Sequence, residues 1–172
     1  MFRRQKESIL GLLKERDALM DYGKKKYWLA YRDFLDTSDD FTDFAGENLE
    51  GKQGYLDLIE KLLGADENAK VFVEVYGFEE DGGVPFIYAD TLIILSRLPL
   101  GRVERFFSES EDIFPSDIGE ITDFSEQGYC VNDNGGGTYF PRQYFLIGDD
   151  GDLIPVENPC DSGYHMYYCW WD

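Results

Sequence analysis

Histidine is nearly missing from this chain: His165 is the only one among 172 residues. Serine or cysteine nucleophiles need a nearby base, which is usually histidine. His165 lies in an aromatic stretch, Tyr164 to Trp171, where packing explains it as well as catalysis does. The GxSxG elbow of hydrolases does not occur. Cysteine is also scarce. Cys130, Cys160 and Cys169 make an odd count without CxxC spacing, so free, reduced thiols are expected and a disulfide framework is not. A structural zinc site would need all four Cys/His side chains at once, without motif spacing. Phosphate-cradle patterns fail too. Gly135-Gly136-Gly137 is followed by Thr-Tyr-Phe-Pro, not by a helix with GxxxxGK[ST] or GxGxxG spacing. No apolar run approaches the roughly 20 residues that cross a bilayer. The basic start, MFRRQKESILGLLKER, has no cleavage-like tail. The expectation is a cytoplasmic protein without cofactor or metal.

Positive charge is the next shortage. Sixteen Lys/Arg face 35 Asp/Glu, a net charge of −19. The imbalance is uneven. Residues 1–32 hold nine basic and four acidic residues, a net of +5, while the remainder carries −24. A body this acidic repels nucleic acid and anionic membrane and attracts basic proteins, although solubility alone also accounts for such charge.

Aromatics are what the chain has in quantity: 13 Phe, 12 Tyr and 3 Trp. The most apolar stretch, Pro85 to Leu95, contains Leu92-Ile93-Ile94-Leu95 and reads as a buried strand. Pro99 then opens a short helix with Val103, Phe106 and Phe107 on one side and Arg102 and Arg105 facing water. Ahead of this core, Ile9, Leu12, Leu13 and Leu19 predict a helix from about residue 6 to 20. Trp28, Tyr31, Phe34 and Leu35 predict a second, led by Lys24-Lys25-Lys26. Residues 39–54 read as an acidic loop. Tyr55, Leu58, Ile59, Leu62 and Leu63 form an amphipathic helix with Gly64 as its C-cap. Val71 to Tyr76 is a strand, and Gly77 to Gly83 is a hairpin loop. Hairpins are also predicted around residues 132–137 and 148–152, with Tyr164 to Trp171 as a closing strand. The fold expected is α+β: one domain, 1–172, with a helical segment 1–38, the acidic loop, and a body 55–172. Its N-terminal helices would pack on a mostly antiparallel sheet.

Two features invite chemistry. Asn132, Asp133 and Asn134, with Asp149, Asp150 and Asp152, offer oxygen ligands for calcium. They lack the EF-hand pattern, and Asp/Asn with Gly is ordinary turn chemistry. Asp90 interrupts the most apolar strand. It is either a carboxylate with a raised pKa or a structural residue, capping a bend or paired with an Arg.

The closing strand has two apolar faces: Tyr164, Met166, Tyr168, Trp170 and His165, Tyr167, Cys169, Trp171. One must pack on the core; the other is covered by helices or is a contact surface. The function expected is a non-enzymatic acidic binding protein for a basic protein partner, of which a bacterial toxin-immunity or inhibitor protein is one form. Tyr167 and Trp171 would contact the partner, with Asp149, Asp150, Asp152, Glu157 and Asp161 as a charged rim. A DNA mimic and a carboxylate-dependent hydrolase are the alternatives.

Overall fold

The computed structural model describes residues 25–35, 37, 42–46, 51–81, 84–110, 113–122, 127–131, 138–139, 144–147, 153–156 and 163–172. In chain order the elements are β1 (Lys25–Ala30), α1 (Tyr31–Phe34), β2 (Thr42–Phe44), α2 (Gly51–Ala65), β3 (Lys70–Asp81) and β4 (Val84–Ser96). There follow α3 (Leu100–Ser108), β5 (Asp117–Glu120), β6 (Gln127–Val131), β7 (Thr138–Tyr139), β8 (Tyr144–Ile147), β9 (Leu153–Val156) and β10 (His165–Trp170). The class is α+β. Eight strands share one sheet in the order β5-β10-β4-β3-β1-β6-β7, with β2 beside β4; β8 and β9 pair as a two-stranded sheet. Most pairings are antiparallel, and β1·β6 and β2·β4 are parallel.

Leu92 to Leu95 is apolar without alternation because both faces of β4 are covered. Leu92 and Ile94 join Val71, Val73, Tyr167 and Cys169 in the main core, beneath Tyr55, Leu58, Ile59 and Leu62 of α2 and Val103 and Phe107 of α3. Ile93 and Leu95 turn the other way and bury with Phe72 and Met166. The helical spacing in α2 and α3 thus does what it predicts. Arg102 and Arg105 are exposed, as expected. Pro99 is the N-cap of α3 with extended backbone, a position that needs no N–H.

Several expectations change. Residues 25–30 are a strand, not a helix, and only the single turn of α1 follows. β1 is held between β3 and β6, so long-range pairing overrides a helical spacing that rested on four residues. The helices packed on the sheet are α2 and α3, which follow β1 in the chain. The helix expected at residues 6–20 lies outside the described residues. The acidic loop 39–54 contains β2 and the first turn of α2. Thr42 is buried there, its hydroxyl donating to the Phe34 carbonyl. Gly64 lies inside α2, which ends at Ala65, and it is not at positive φ, so it is not a glycine C-cap. The β3–β4 hairpin is longer than expected, because Gly77 to Asp81 stay in register with Tyr88 to Val84. Among the described residues no helix is long and apolar enough to cross a membrane.

Candidate functional site

Two β-bulges place the site. In the β3–β4 ladder Glu74 faces Thr91, but Val75 faces Ala89, so Asp90 has no partner on β3. Val75 and Gly77 then face Ala89 and Tyr88, which leaves Tyr76 unpaired. The extra residue reverses the alternation. Leu92 and Ile94 face the main core, and regular pleating would put residue 90 there with them. Instead Ala89 enters that core, and Asp90 lines a groove with Thr91 and Ile93. Asp90 therefore marks the bulge. Its Oδ1 accepts a hydrogen bond from the Thr91 hydroxyl at 2.7 Å, and its carbonyl accepts from Trp171 N at 2.9 Å. The irregularity is a bulge within one continuous strand rather than a bend between two short strands, and the side-chain hydrogen bond is to Thr91 rather than to an Arg.

The groove is open and holds about 410 Å³. Its described lining is Glu74, Asp90, Thr91, Ile93, Asp117, Ile121, Tyr168 and Trp170. Strand register explains how residues so far apart in sequence meet. Glu74 pairs with Thr91, Thr91 with Trp170, and Trp170 with Asp117, one transverse row across β3, β4, β10 and β5. Three strand spacings put the outer Cα atoms roughly 14 Å apart. The next row is Phe72, Ile93, Tyr168 and Gly119. Along the strands, this face thus passes from apolar to acidic within one row.

Gly119 fits this arrangement sterically. A Cβ there would lie 2.8 Å from Tyr168 Oη and 3.0 Å from two ring carbons, so the ring occupies the space a side chain would take. Tyr168 donates its hydroxyl to Asp117 Oδ2 at 2.9 Å. That bond to a carboxylate, helped by partial burial, pushes the phenol above the ordinary tyrosine value. Trp170 remains 37% exposed. Three carboxylates, a fixed phenol and an exposed indole line the groove. Such a surface suits a cation: the carboxylates supply charge, and the indole face attracts ammonium or guanidinium groups.

Tyr167 and Trp171, expected at a partner surface, are core residues at 0% and 7% exposure. Tyr167 donates to the Leu98 carbonyl, and the Trp171 indole N–H donates to the Ile113 carbonyl. The face of β10 that stays open in part is the alternate one, with Tyr168 and Trp170. Alternation in the sequence reveals two faces but not which one the helices choose. Glu74 and Asp117 carry no sequence signal, because only register across four strands brings them together. Asp149, Asp150, Asp152, Glu157 and Asp161 lie outside the described residues, as do Asn132, Asp133 and Asn134.

His165 makes no triad among the described residues. Its Nδ1 is 2.7 Å from Glu120 Oε1, and its ring stacks on Tyr167. Cys169 is free and fully buried, and burial drives its thiol pKa far up, which suits packing and not nucleophilic attack. Among the described residues no cluster of His, Cys, Asp or Glu has the arrangement of a metal site.

Among the described residues Asp66 is buried, and it is structural. It accepts from Ser96 Oγ and Arg97 N, each at 2.8 Å, and from Asn68 N at 3.1 Å. Burial alone would raise its pKa. The bonds from Arg97 N, Ser96 and Asn68, with the Arg97 charge, outweigh burial and hold it below the usual aspartate value. It ties the α2–β3 turn to the end of β4.

Compared with family models, curated proteins and solved structures, the chain matches none of them. The function must be argued from the site alone.

Proposed function

We propose that this is a non-enzymatic binding protein that recognises a basic protein through the acidic groove on the open sheet face. The observation that carries this reading is the row Glu74–Thr91–Trp170–Asp117, with Asp90 beside it. It combines an exposed aromatic anchor with carboxylates on both sides. Indole and phenol side chains bury much area at small entropic cost and are enriched at binding hot spots. The carboxylates, with the −19 net charge, steer a cationic partner and set its orientation. An inhibitor or immunity protein for a basic toxin is one biological form of such a binder, and a cytoplasmic location fits it.

The test uses a panel of basic proteins and measures association rates at low and high salt. Two triple variants are compared, E74Q/D90N/D117N in the groove and D149N/D150N/D152N in the loop, each checked for native circular dichroism. The groove variant is expected to associate at least about tenfold more slowly at low salt, with a flatter salt dependence. Wild-type rates for the groove variant at every salt concentration would refute the reading. The same loss confined to the loop variant would move the binding surface to the C-terminal acidic segment.

A further inference from the structure

We propose that the partner presents an extended basic segment that adds as a strand to the outer edge of β5, with one cationic side chain reaching the groove at Asp117 and another meeting Glu120 on the opposite face. This rests on the reading of the groove given above.

Among the described residues, β5 is the outermost strand on its side of the sheet. The direction of its backbone groups follows from one bond. Ile121 N donates to Met166 O at 2.7 Å, so the N–H of residue 121 points at β10. Groups alternate along a strand, and in an antiparallel ladder the N–H and C=O of one residue share a side. Residues 117 and 119 therefore face β10, while Ile118 and Glu120 aim their N–H and C=O outward. Trp171 N, bonded to Asp90 O, fixes the same parity on the far side of β10. Two residues thus offer a short ladder to an added strand, the geometry of strand-addition recognition.

Charge selects the occupant. Asp117 and Glu120 bracket the edge and are both exposed. Asp117 lies on the groove face, and Glu120, which pairs with Tyr167, lies on the opposite face. A strand beside β5 would place residues opposite both carboxylates, close enough for cross-strand pairing. A second copy of this −19 chain would bring like charge to the same edge and is disfavoured. An extended segment carrying Lys or Arg three residues apart meets both acids. The exposed large hydrophobic residues among those described are Phe114 and Trp170. Phe114, 49% exposed, comes three residues before β5, and Trp170 pairs with Asp117.

The experiment is amide hydrogen exchange by NMR on the full chain. The probe is a synthetic peptide of about ten residues, an ordinary strand length. It is rich in Thr and Val, with Lys at every third position. One control carries Glu in place of Lys. Another keeps the lysines but has alternate backbone nitrogens methylated, which removes the ladder donors and keeps the charge. In the free protein the Ile118 and Glu120 amides should exchange as open groups. With the Lys peptide they should slow at least about tenfold, and Trp170 fluorescence should shift. The Glu peptide should do neither. Protection of Ile118 and Glu120 already present in the free protein overturns the inference. So does equal binding by the methylated peptide. A Trp170 shift without edge protection also overturns it, while leaving the groove as a cation site. Edge protection that grows with protein concentration alone makes the occupant a second copy and overturns it too. Failure of the Lys peptide to bind at any concentration at low salt rejects the groove reading and this inference together.

Discussion

Trp170 and Trp171 are adjacent in the chain and should separate stability from binding. Trp171 is 7% exposed. Its ring makes edge contacts with Phe44 and Tyr55, each at 5.4 Å between centroids, and with Phe107 at 5.8 Å. These partners come from β2, α2 and α3, so one side chain joins three elements over the sheet. Its indole N–H donates to the Ile113 carbonyl at 3.0 Å. Truncation of a buried Trp to Ala costs about 3–5 kcal/mol. Loss of the N–H adds about 1 kcal/mol if water cannot replace it at Ile113, which is itself 1% exposed. Trp171→Ala should therefore lose roughly 4–6 kcal/mol, a large part of the roughly 5–15 kcal/mol of an ordinary domain. Trp171→Phe keeps much of the ring packing and drops the donor, and should lose about 1–3 kcal/mol. Trp170→Ala on the open face should change stability by no more than about 0.5 kcal/mol and should weaken binding of a basic partner. Urea unfolding followed by far-UV circular dichroism, with midpoints compared at constant slope, measures all three. A Trp171→Ala loss below about 1 kcal/mol would refute the assignment of this residue to the core. A Trp170→Ala loss above about 2 kcal/mol would refute its assignment to the open face.

The other expectations can be checked separately. Asp66→Ala should cost about 2–4 kcal/mol, because the Ser96 hydroxyl and Arg97 N–H lose a charged acceptor; a neutral effect in urea unfolding would contradict the structural role. The Asp66 pKa is depressed by folding, so its contribution is fully present above the ordinary value of 3.8 and is lost as pH falls through the lower folded value. Wild-type stability should therefore drop across that acid window more steeply than that of Asp66→Asn, and parallel curves would count against it. Gly119→Ala should displace the Tyr168 ring and release its hydroxyl from Asp117. The Tyr168 pKa, followed by ring-carbon NMR, should then fall toward the ordinary tyrosine value, as it should in Asp117→Asn; an unchanged titration in both would break the link. Cys169 should resist alkylation in the native state and react only on unfolding, so rapid native labelling at this site by mass spectrometry would show that β10 is not packed as described.

Patterns confined to one element were readable in the sequence. The spacing in Tyr55 to Leu63 locates α2, although the helix begins at Gly51 and passes through Gly64. The apolar run locates β4, and turn chemistry locates the β6–β7 and β8–β9 hairpins. What was not readable depends on distant pairing. β1 looks helical by itself and becomes a strand between β3 and β6. β2 is three residues in acidic surroundings, and it exists because β4 offers it an edge. For the site, the two faces of β10 could be separated by alternation, but the choice between Trp170 and Trp171 could not. That choice depends on where α2 and α3 land, which is a property of the assembled core.

The bulge at Asp90 joins the fold to the site. Its neighbour Ala89 gives its carbonyl to Ala45 N at 2.8 Å, while Asp90 gives its own to Trp171 N at 2.9 Å. In a regular strand successive carbonyls point to opposite sides. Here both serve the same side of β4, one for the chain leaving β2 and the other for the end of β10. β2 and β10 can therefore share that edge end to end, β2 along Ile87 to Ala89 and β10 along Thr91 to Ser96. The junction brings Phe44 and Trp171 into contact. Beyond β2 the chain turns through Ala45 and Gly46, both at positive φ, with Gly46 N bonded to Asp43 Oδ1 at 3.0 Å. The left-handed form costs Ala about 1–2 kcal/mol, and the surrounding contacts must hold it. The same extra residue moves a carboxylate from the helix-covered face to the groove. An Asp in the most apolar strand would be costly if buried without a partner. The bulge avoids that cost and adds Asp90 to Glu74 and Asp117, so the irregularity that closes the core also supplies the charge of the groove.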